Sequence, residues 1–314
     1  MQSEQDARLR IAVLAGGASA EREVSQRSGA GVAAALGERG HRVTLVDPAA
    51  ERIGDIDWDR FDVCFVALHG GAGEDGRVQA ELARLEVPYT GSGPEACRLA
   101  MSKLASKQRF LAEGVPTPRY ILIGADDRLA SIAQRVSVLG YPLVLKPDDQ
   151  GSSVGVTIAR DSAELPIALA KSRRFGGSVL AEPLVIGCEF TVAMLDDRPL
   201  PLIEIVSPEP VFSYDAKYNS SLTEYKFDFQ LDDAARMAID QAAVGAVRAL
   251  GVTGLSRVDV MLDRQASPWV LEVNTIPGMT ARSLAPLAAA RAGLDMPALC
   301  DHLVKRCLAA AGVA

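Results

Sequence analysis

The sequence has few aromatic residues, 5% of its 314 positions, and no long apolar stretch. A membrane-spanning helix needs roughly 18 apolar residues in a row, and no run of that length occurs. The N-terminal residues MQSEQDARLR also lack the apolar segment of a secretion signal. We therefore expect no membrane partner and a cytoplasmic location.

Basic charge is scarce as well. The 33 Lys and Arg residues stand against 40 Asp and Glu residues, for a formal net charge of −7, and no long basic run is present. This balance argues against a nucleic-acid partner. A compact anionic ligand held by a local group of Lys and Arg remains compatible with it.

Cysteine residues are few, and their spacing does not indicate disulfide bonds. The five cysteines are widely spaced, contain no CxxC motif and lie mostly in apolar surroundings. Such a distribution favours buried free thiols over disulfides, a redox pair or a zinc site.

Residues 9–47 have the pattern of a strand, a helix and a second strand. Ser19 is the expected helix cap, and Gly40 the expected stop. The turn sequence GGASAE lacks the GxGxxG glycines, which disfavours dinucleotide binding with Asp47 on the ribose. Glu21 falls at the mouth of the predicted parallel sheet, where ligands gather. Alternatively, it only complements the helix dipole.

The next strand runs into HGGAGEDG, a glycine-rich loop that begins at His69. A flexible loop at a strand's carboxyl end is more often a binding loop than a plain connection. After it, residues 95–113 are predicted to form one helix with Lys103 and Lys107 on the same face. A solvated lysine face is the simplest interpretation of that pair.

The segment LVLKPDDQGSSVGV is a second candidate binding element. A strand ending at Lys146 leads into a loop of small residues and then into another strand. We call residues 148–155 the phosphate loop. The pattern is neither a Walker loop nor a Rossmann turn. Small residues let backbone amides close over phosphates, and Lys146 adds a charge. An ordinary Gly-Ser turn is the alternative.

Two strands that contain Glu182 and Glu189 follow, and their spacing suits recognition of adenine and ribose. Residues 207–230 then form a long segment without a clear periodic pattern. A loop of this length inside a compact domain is usually a functional lid.

Residues 257–283, RVDVMLDRQASPWVLEVNTIPGMTARS, predict a hairpin with one polar face. In its second strand, Val270, Glu272 and Asn274 are expected on that face, and Trp269, Leu271 and Val273 on the apolar face. If it closes about residues 265 and 266, Asp259 faces Glu272 and Arg257 faces Asn274, with Cβ atoms roughly 5 Å apart. A divalent cation would relieve the repulsion between the carboxylates, and these oxygen ligands suit Mg²⁺. A sheet edge in which Arg257 pairs with the acids is equally compatible with the spacing.

Several of these strings together resemble one enzyme family. They are SAEREVS, ALHGGAGEDG, GSGPEACRLAMSK, KPDDQGSSVGV, DAKY, RVDVMLD and LEVNTIPGMTARSL, in that order. They resemble the D-alanine:D-alanine ligases of the ATP-grasp superfamily over nearly the whole chain. The resemblance implies a mixed α/β (α+β) ATP-grasp fold with three α/β domains. These are an N-terminal Rossmann-like parallel-sheet domain for substrate (residues 1–94), a central lid domain (95–183) and a C-terminal catalytic domain (184–314).

The implied reaction joins two D-alanines through a D-alanyl phosphate and releases ADP and phosphate, for peptidoglycan synthesis and thus cell wall biogenesis and cell shape. ATP and two Mg²⁺ ions, with Mn²⁺ as a substitute, are the implied cofactors, and a homodimer is the implied assembly.

The resemblance also assigns roles to individual residues. It implies catalytic roles for Glu21, Ser152, Tyr218, Arg257, Gly278 and Ser283. It places the two substrates at Glu21, His69, Ser283 and Leu284. It places the nucleotide at Lys103, Lys146, Ser153, Glu182, Val185, Glu189 and Lys217. The implied metal ligands are Asp259, Glu272 and Asn274.

Two departures from the family pattern concern the nucleotide site. Pro183 stands where the family usually has a lysine near adenine, and Asp148, Asp149 and Gln150 make the phosphate loop unusually acidic. Tyr218 favours D-alanine over D-lactate as the second substrate, because relatives that form depsipeptides resemble this pattern with Phe there.

Overall fold

The computed structural model describes residues 8–207 and 223–312. Within these ranges the backbone forms three β-sheets flanked by helices. The strands are β1 (Arg10–Leu14), β2 (Arg42–Val46), β3 (Val63–Val66), β4 (Ile121–Ile123), β5 (Leu143–Pro147), β6 (Thr157–Ala159), β7 (Val179–Pro183), β8 (Gly187–Leu195), β9 (Arg198–Pro199), β10 (Ile203–Val206), β11 (Glu224–Lys226), β12 (Leu255–Asp263) and β13 (Pro268–Asn274). The α-helices are α1 (Arg22–Glu38), α2 (Arg77–Arg84), α3 (Pro94–Met101), α4 (Lys103–Ala112), α5 (Leu129–Val136), α6 (Leu165–Ser172), α7 (Asp233–Leu250), α8 (Leu284–Arg291) and α9 (Met296–Ala310).

None of the helices within the described ranges has the length and apolar content needed to cross a membrane.

The N-terminal sheet is parallel, in the order β2-β1-β3, as the strand-helix-strand pattern predicts. The predicted cap at Ser19 is wrong, because α1 begins at Arg22 and Glu21 occupies the N-cap position. Ser19 Oγ instead accepts a bond from the Glu21 amide and donates one to the His69 carbonyl. Ser19 therefore ties the turn before α1 to the glycine-rich loop.

The central sheet has the order β4-β7-β5-β6, and all of its neighbouring strands are antiparallel. Helices α5 and α6 cover one face and form a core of their own with it. Glu182 in β7 is the register partner of Val144, which lies two residues before Lys146 in β5. Lys146 and Glu182 therefore lie on the same face of the sheet, where they form an ion pair.

The third sheet has the order β11-β10-β8-β12-β13, with β9 added to β8. The predicted register of its β12–β13 hairpin is confirmed: Asp259 pairs with Glu272, and Arg257 pairs with Asn274. The predicted alternation in β13 is wrong at one point, because the register shifts between Asp259 and Val260.

This shift is a β-bulge at Leu271, which has no register partner in β12. Val270 and Val273 both point into the core, although they are an odd number of residues apart. Leu271 and Glu272 both point to the other side of the sheet, where they line a cavity. A bulge re-aims the side chains that follow it, and here it places an apolar residue beside an acidic one.

The single helix expected over residues 95–113 is also wrong. It divides into α3 and α4 at Ser102, which has an extended backbone and caps α4 by accepting a bond from the Ala105 amide. Asp148 from the central sheet completes this helix start. Its carboxylate accepts bonds from the Leu104 amide at 2.7 Å and from Ser102 Oγ at 3.1 Å, and its carbonyl accepts one from the Lys103 amide. Tertiary contacts thus interrupt a pattern that is locally helical.

Hydrophobic cores connect the sheets. The C-terminal helices α8 and α9 pack with α1 and one face of the N-terminal sheet. Helices α3 and α4 contribute to the core that α7 forms with the third sheet. Three sheets follow one another along the chain, in line with the expected three domains. The boundaries at residues 94 and 183 stay a prediction.

Candidate functional site

Two adjoining cavities lie where the three sheets meet. The inner cavity is lined by Glu21, His69, Glu74, Ser152, Arg257, Asn274 and Gly278, among others. The outer cavity is lined by Lys146, Ser153, Glu182, Val185, Glu189, Asp259 and Leu271, among others. Lys103 and Glu272 line both cavities. Groups bound on the two sides would therefore meet between these residues.

One end of the inner cavity is acidic. Glu21, at the start of α1, accepts a hydrogen bond from Ser152 Oγ of the phosphate loop. Its other carboxylate oxygen lies 2.5 Å from the position that a Cβ on Gly70 would occupy. Gly70 has a φ of 68°, so any side chain there would be strained and would also collide with Glu21. This explains why a glycine follows His69.

Arg257 also lines the inner cavity. Its guanidinium binds the Asp259 carboxylate through two hydrogen bonds, of 2.9 and 2.8 Å. Thr191 Oγ1 donates a further bond of 2.7 Å to the same carboxylate. The structure thus contains the salt bridge that the spacing allowed, and this pair holds Arg257 against the cavity. The inner cavity is thus lined by both acidic and basic side chains, as a site for an amino acid zwitterion requires.

The expected metal ligands lie together on the polar face of the hairpin. Asp259 and Glu272 are register partners, and Asn274 is two residues further along β13. Within residues 8–207 and 223–312 there is no group of three or more His, Cys, Asp and Glu residues placed to hold a metal. The proposed set has two carboxylates and an amide. Mg²⁺ usually keeps several waters and binds proteins through one or two carboxylates, so this oxygen set fits it.

A buried charge network forms the floor of the outer cavity. Glu182, 2% exposed, bridges two lysines, Lys146 at 2.7 Å and Lys107 at 3.1 Å. Lys107 also donates to Thr117 Oγ1 at 2.7 Å and to the Pro118 carbonyl at 3.0 Å. Burial lowers the pKa of Lys107 to about 8, against the opposing effect of Glu182. The interpretation of Lys107 as part of a solvated face is therefore wrong.

Lys103 stands at the junction of the two cavities. It is the first residue of α4, and its ammonium donates to the Gln150 carbonyl in the phosphate loop. Burial lowers its pKa, while the neighbouring Glu272 acts in the opposite direction. Asp148, one of the acidic residues that depart from the family pattern, accepts hydrogen bonds from the start of α4 and so positions Lys103.

The loop between β13 and α8 carries the last predicted site residues. Gly278 lines the inner cavity, and Ser283 Oγ lies 2.8 Å from the position that a Cβ on Gly278 would take. Ser283 bonds to Thr280 and precedes the first turn of α8. The Leu284 side chain is buried in the core, so this residue can present only backbone atoms to a ligand.

Two predicted residues, Lys217 and Tyr218, lie outside the described ranges. Two side chains were missed as site residues, Glu74 and Lys107. Each lies five or fewer residues from a residue that was selected, and the loop string HGGAGEDG contains Glu74. Nothing in the sequence alone tells whether either side chain turns inward, which depends on the packing of the elements around it.

The sequence is similar to known proteins along nearly its whole length. A family model described as the D-ala D-ala ligase C-terminus matches residues 110–305, and one described as the D-ala D-ala ligase N-terminus matches residues 48–92. A D-alanine–D-alanine ligase from Gloeobacter violaceus is 45% identical over 96% of this chain and 100% of its own length. The chain belongs to the D-alanine–D-alanine ligase family.

Further relatives agree with this membership. The D-alanine–D-alanine ligase of Alcanivorax borkumensis is 43% identical over 94% of this chain and 92% of its own length. The crystal structure of the Bacillus anthracis D-alanine–D-alanine ligase matches with a TM-score of 0.87 and 33% identity, over 97% of this chain and 99% of that one. The same ligase complexed with ATP matches with a TM-score of 0.84 and 31% identity. The ATP-grasp fold expected from the sequence is thus confirmed.

Proposed function

We propose that this protein is an ATP-dependent ligase that joins two D-alanines into D-alanyl-D-alanine, in the cytoplasm, for peptidoglycan synthesis. The observation that carries the proposal is the pair of cavities joined at Lys103 and Glu272. One is complementary to an amino acid zwitterion, and the other combines buried lysines with apolar walls. Such a pair suits transfer of a phosphoryl group from a nucleotide to a carboxylate.

The outer cavity would hold ATP. Lys103, Lys146 and, from the undescribed segment, Lys217 would neutralise phosphate charge, with Ser153 in the same loop. Glu182, Val185 and Glu189 would surround adenosine. Pro183, Leu184 and Met261 add apolar wall, so the lysine that Pro183 replaces is offset by packing on the adenine.

Asp259, Glu272 and Asn274 would hold Mg²⁺, in two sites as in the family expectation, with Mn²⁺ as a substitute. A metal there offsets negative charge on the transferring phosphoryl group. Hard oxygen ligands and the absence of thiol or imidazole from this face, as far as residues 8–207 and 223–312 show, favour Mg²⁺ over Zn²⁺.

The protein's own side chains would orient both substrates. Glu21 binds the ammonium of the first D-alanine, and Ser152 fixes the Glu21 carboxylate. Tyr218 belongs to the same group by resemblance. Once a carboxylate oxygen of this substrate attacks the γ-phosphorus, ADP leaves and an acyl phosphate remains.

The second D-alanine would bind beside the loop after β13. Its carboxylate would meet Ser283 and the backbone amide of Leu284, at the start of α8, where helix amides favour anions. Its amine attacks the acyl carbon, a C–N bond forms, and the C–O bond to phosphate breaks with loss of a proton from nitrogen. Arg257 and the Gly278 amide would face the oxyanion, each worth roughly 3 to 4 kcal/mol if well placed.

The experiment is a product analysis with purified protein, Mg-ATP and D-alanine. We expect ADP, phosphate and D-alanyl-D-alanine in equal amounts. Absence of dipeptide at millimolar D-alanine would refute the function. L-Alanine serves as the control substrate, and size-exclusion chromatography with light scattering tests the homodimer that the family resemblance implies.

A further inference from the structure

Three polar side chains, two of them buried, form a chain that ends at the inner cavity. Ser28 on α1, His69 after β3 and Glu74 in the glycine-rich loop follow one another in space. Ser28 is fully buried and His69 is 4% exposed, whereas Glu74 reaches the cavity surface. Ser28 and Glu74 have no part in the reaction as described above.

The hydrogen bonds give this chain a direction. The Met279 amide, which can only donate, donates to Ser28 Oγ at 3.1 Å. Ser28 Oγ also lies 2.9 Å from His69 Nε2. A buried hydroxyl hydrogen needs an acceptor, and among these two partners only Nε2 can accept it.

With Ser28 as the donor in this pair, the imidazole N–H lies on Nδ1. This nitrogen faces the Glu74 carboxylate at 3.7 Å. The array therefore presents an N–H group to Glu74 and links it, through Ser28, to the loop that carries Gly278. The hydrogen bond between Ser28 Oγ and His69 Nε2 fixes the orientation of the imidazole ring.

An ionised Glu74 carboxylate is energetically unfavourable at this position unless a positive group lies beside it. Burial raises the pKa of its carboxyl, His69 opposes the increase, and the nearby Glu21 adds to it. Its second oxygen lies 3.9 Å from the position that a Cβ on Gly151 would occupy, which directs it toward the phosphate loop. Glu21 and Glu74 thus approach the same end of the cavity from two different loops.

We propose that Glu74 is a second carboxylate for the ammonium group of the first substrate, and that Ser28 and His69 are positioning residues that hold it there. A cation between Glu21 and Glu74 removes the repulsion between them, and an amino acid ammonium has enough N–H donors for both. The inference rests on the proposed function and deepens it, because it names the specificity group for the first D-alanine.

The test compares Glu74→Gln with the wild-type enzyme. Phosphate release is measured over a wide range of D-alanine, so that half-saturation at the first and second sites is resolved. Loss of a charge-assisted hydrogen bond should raise the half-saturation constant for D-alanine at the first site (the first-site constant) roughly ten-fold to a hundred-fold. The half-saturation constant for ATP (the constant for ATP) and the maximal rate should change by less than about three-fold, because neither involves the bound ammonium.

Matched variants separate charge from folding. Glu23→Gln alters an exposed glutamate in the first turn of α1 and should leave all constants unchanged. Glu74→Asp keeps the charge and should raise the first-site constant less than Glu74→Gln does. His69→Asn retains a donor near the Nδ1 position, so its effect should be smaller than that of His69→Leu; a purely structural role would not produce this order.

Two failures are distinguishable. If the wild-type protein forms no dipeptide, the proposed function fails. If the wild-type protein forms dipeptide and Glu74→Gln retains the wild-type first-site constant, or loses only its maximal rate, the role assigned to Glu74 is wrong.

Discussion

At the scale of single residues, the site depends on how buried charges are compensated. Glu182 receives two lysines, and Asp259 receives Arg257 and Thr191. An isolated charge in such places would be strongly unfavourable, while a charge with hydrogen-bonded partners is tolerated. The pairs also fix the orientation of groups that must meet a ligand.

Lys107→Met tests the network under the outer cavity. Removing one partner of a buried ion pair leaves the other undercompensated, so we expect a loss of about 3 kcal/mol in the free energy of unfolding. The half-saturation constant for ATP should rise, because Glu182 would then form an ion pair with Lys146 alone. Denaturant unfolding and steady-state kinetics measure the two effects.

Lys171→Met is the control for this variant, since Lys171 is exposed on α6. It should change neither quantity measurably. An unfolding free energy for Lys107→Met within about 0.5 kcal/mol of the wild type would contradict the account.

At the scale of elements, two local irregularities place the site residues. The break between α3 and α4 puts Lys103 at a helix start, and the bulge in β13 turns Leu271 toward the outer cavity. The hairpin register followed from the sequence, because the turn between Asp263 and Pro268 is short and the polar residues alternate. The bulge could not be predicted, because the alternation of side chains assumes a regular strand pairing. A bulge shifts this alternation by one residue, and no residue in the strand marks its position.

The helix break was hidden for a different reason. Residues 95–113 are compatible with one continuous helix, and the competing contact comes from Asp148, far along the chain. The burial of Lys107 likewise depends on Glu182 in another sheet. Motif strings located most of the cavity lining, but they carried no information about such long-range partners.

Asp148→Ala tests the helix start. Loss of an N-terminal cap typically costs about 1 kcal/mol, and the ammonium of Lys103 would lose its fixed position. We expect that decrease in stability together with an increased constant for ATP. Asp149→Ala, at an exposed neighbouring position, should have a smaller effect on both. Equal effects of the two substitutions would refute the capping role.

Val270→Ala and Leu271→Ala test the bulge. Val270 is fully buried in the core, so its truncation should lower the free energy of unfolding by about 2 kcal/mol and spare ATP binding. Leu271 lines the outer cavity, so its truncation should raise the constant for ATP roughly ten-fold with little loss of stability. A regular strand would give the reverse assignment.

At the scale of the whole molecule, the site exists only where the three sheets come together. Glu21 and Glu74 come from the N-terminal sheet, Lys146 and Glu182 from the central one, and the β12–β13 hairpin from the third. The C-terminal helices pack on the N-terminal sheet, which holds the loop after β13 against the inner cavity. In the proposed function, this arrangement would bring the carboxylate of the first substrate to the boundary with the nucleotide.

The central claim is that ATP activates this carboxylate as an acyl phosphate. The most direct measurement is oxygen transfer, with D-alanine labelled by ¹⁸O in its carboxylate and mass analysis of the released phosphate. Our account predicts one ¹⁸O atom in the phosphate for each dipeptide formed, because the C–O bond of the acyl phosphate breaks. Unlabelled phosphate accompanying dipeptide formation would contradict it.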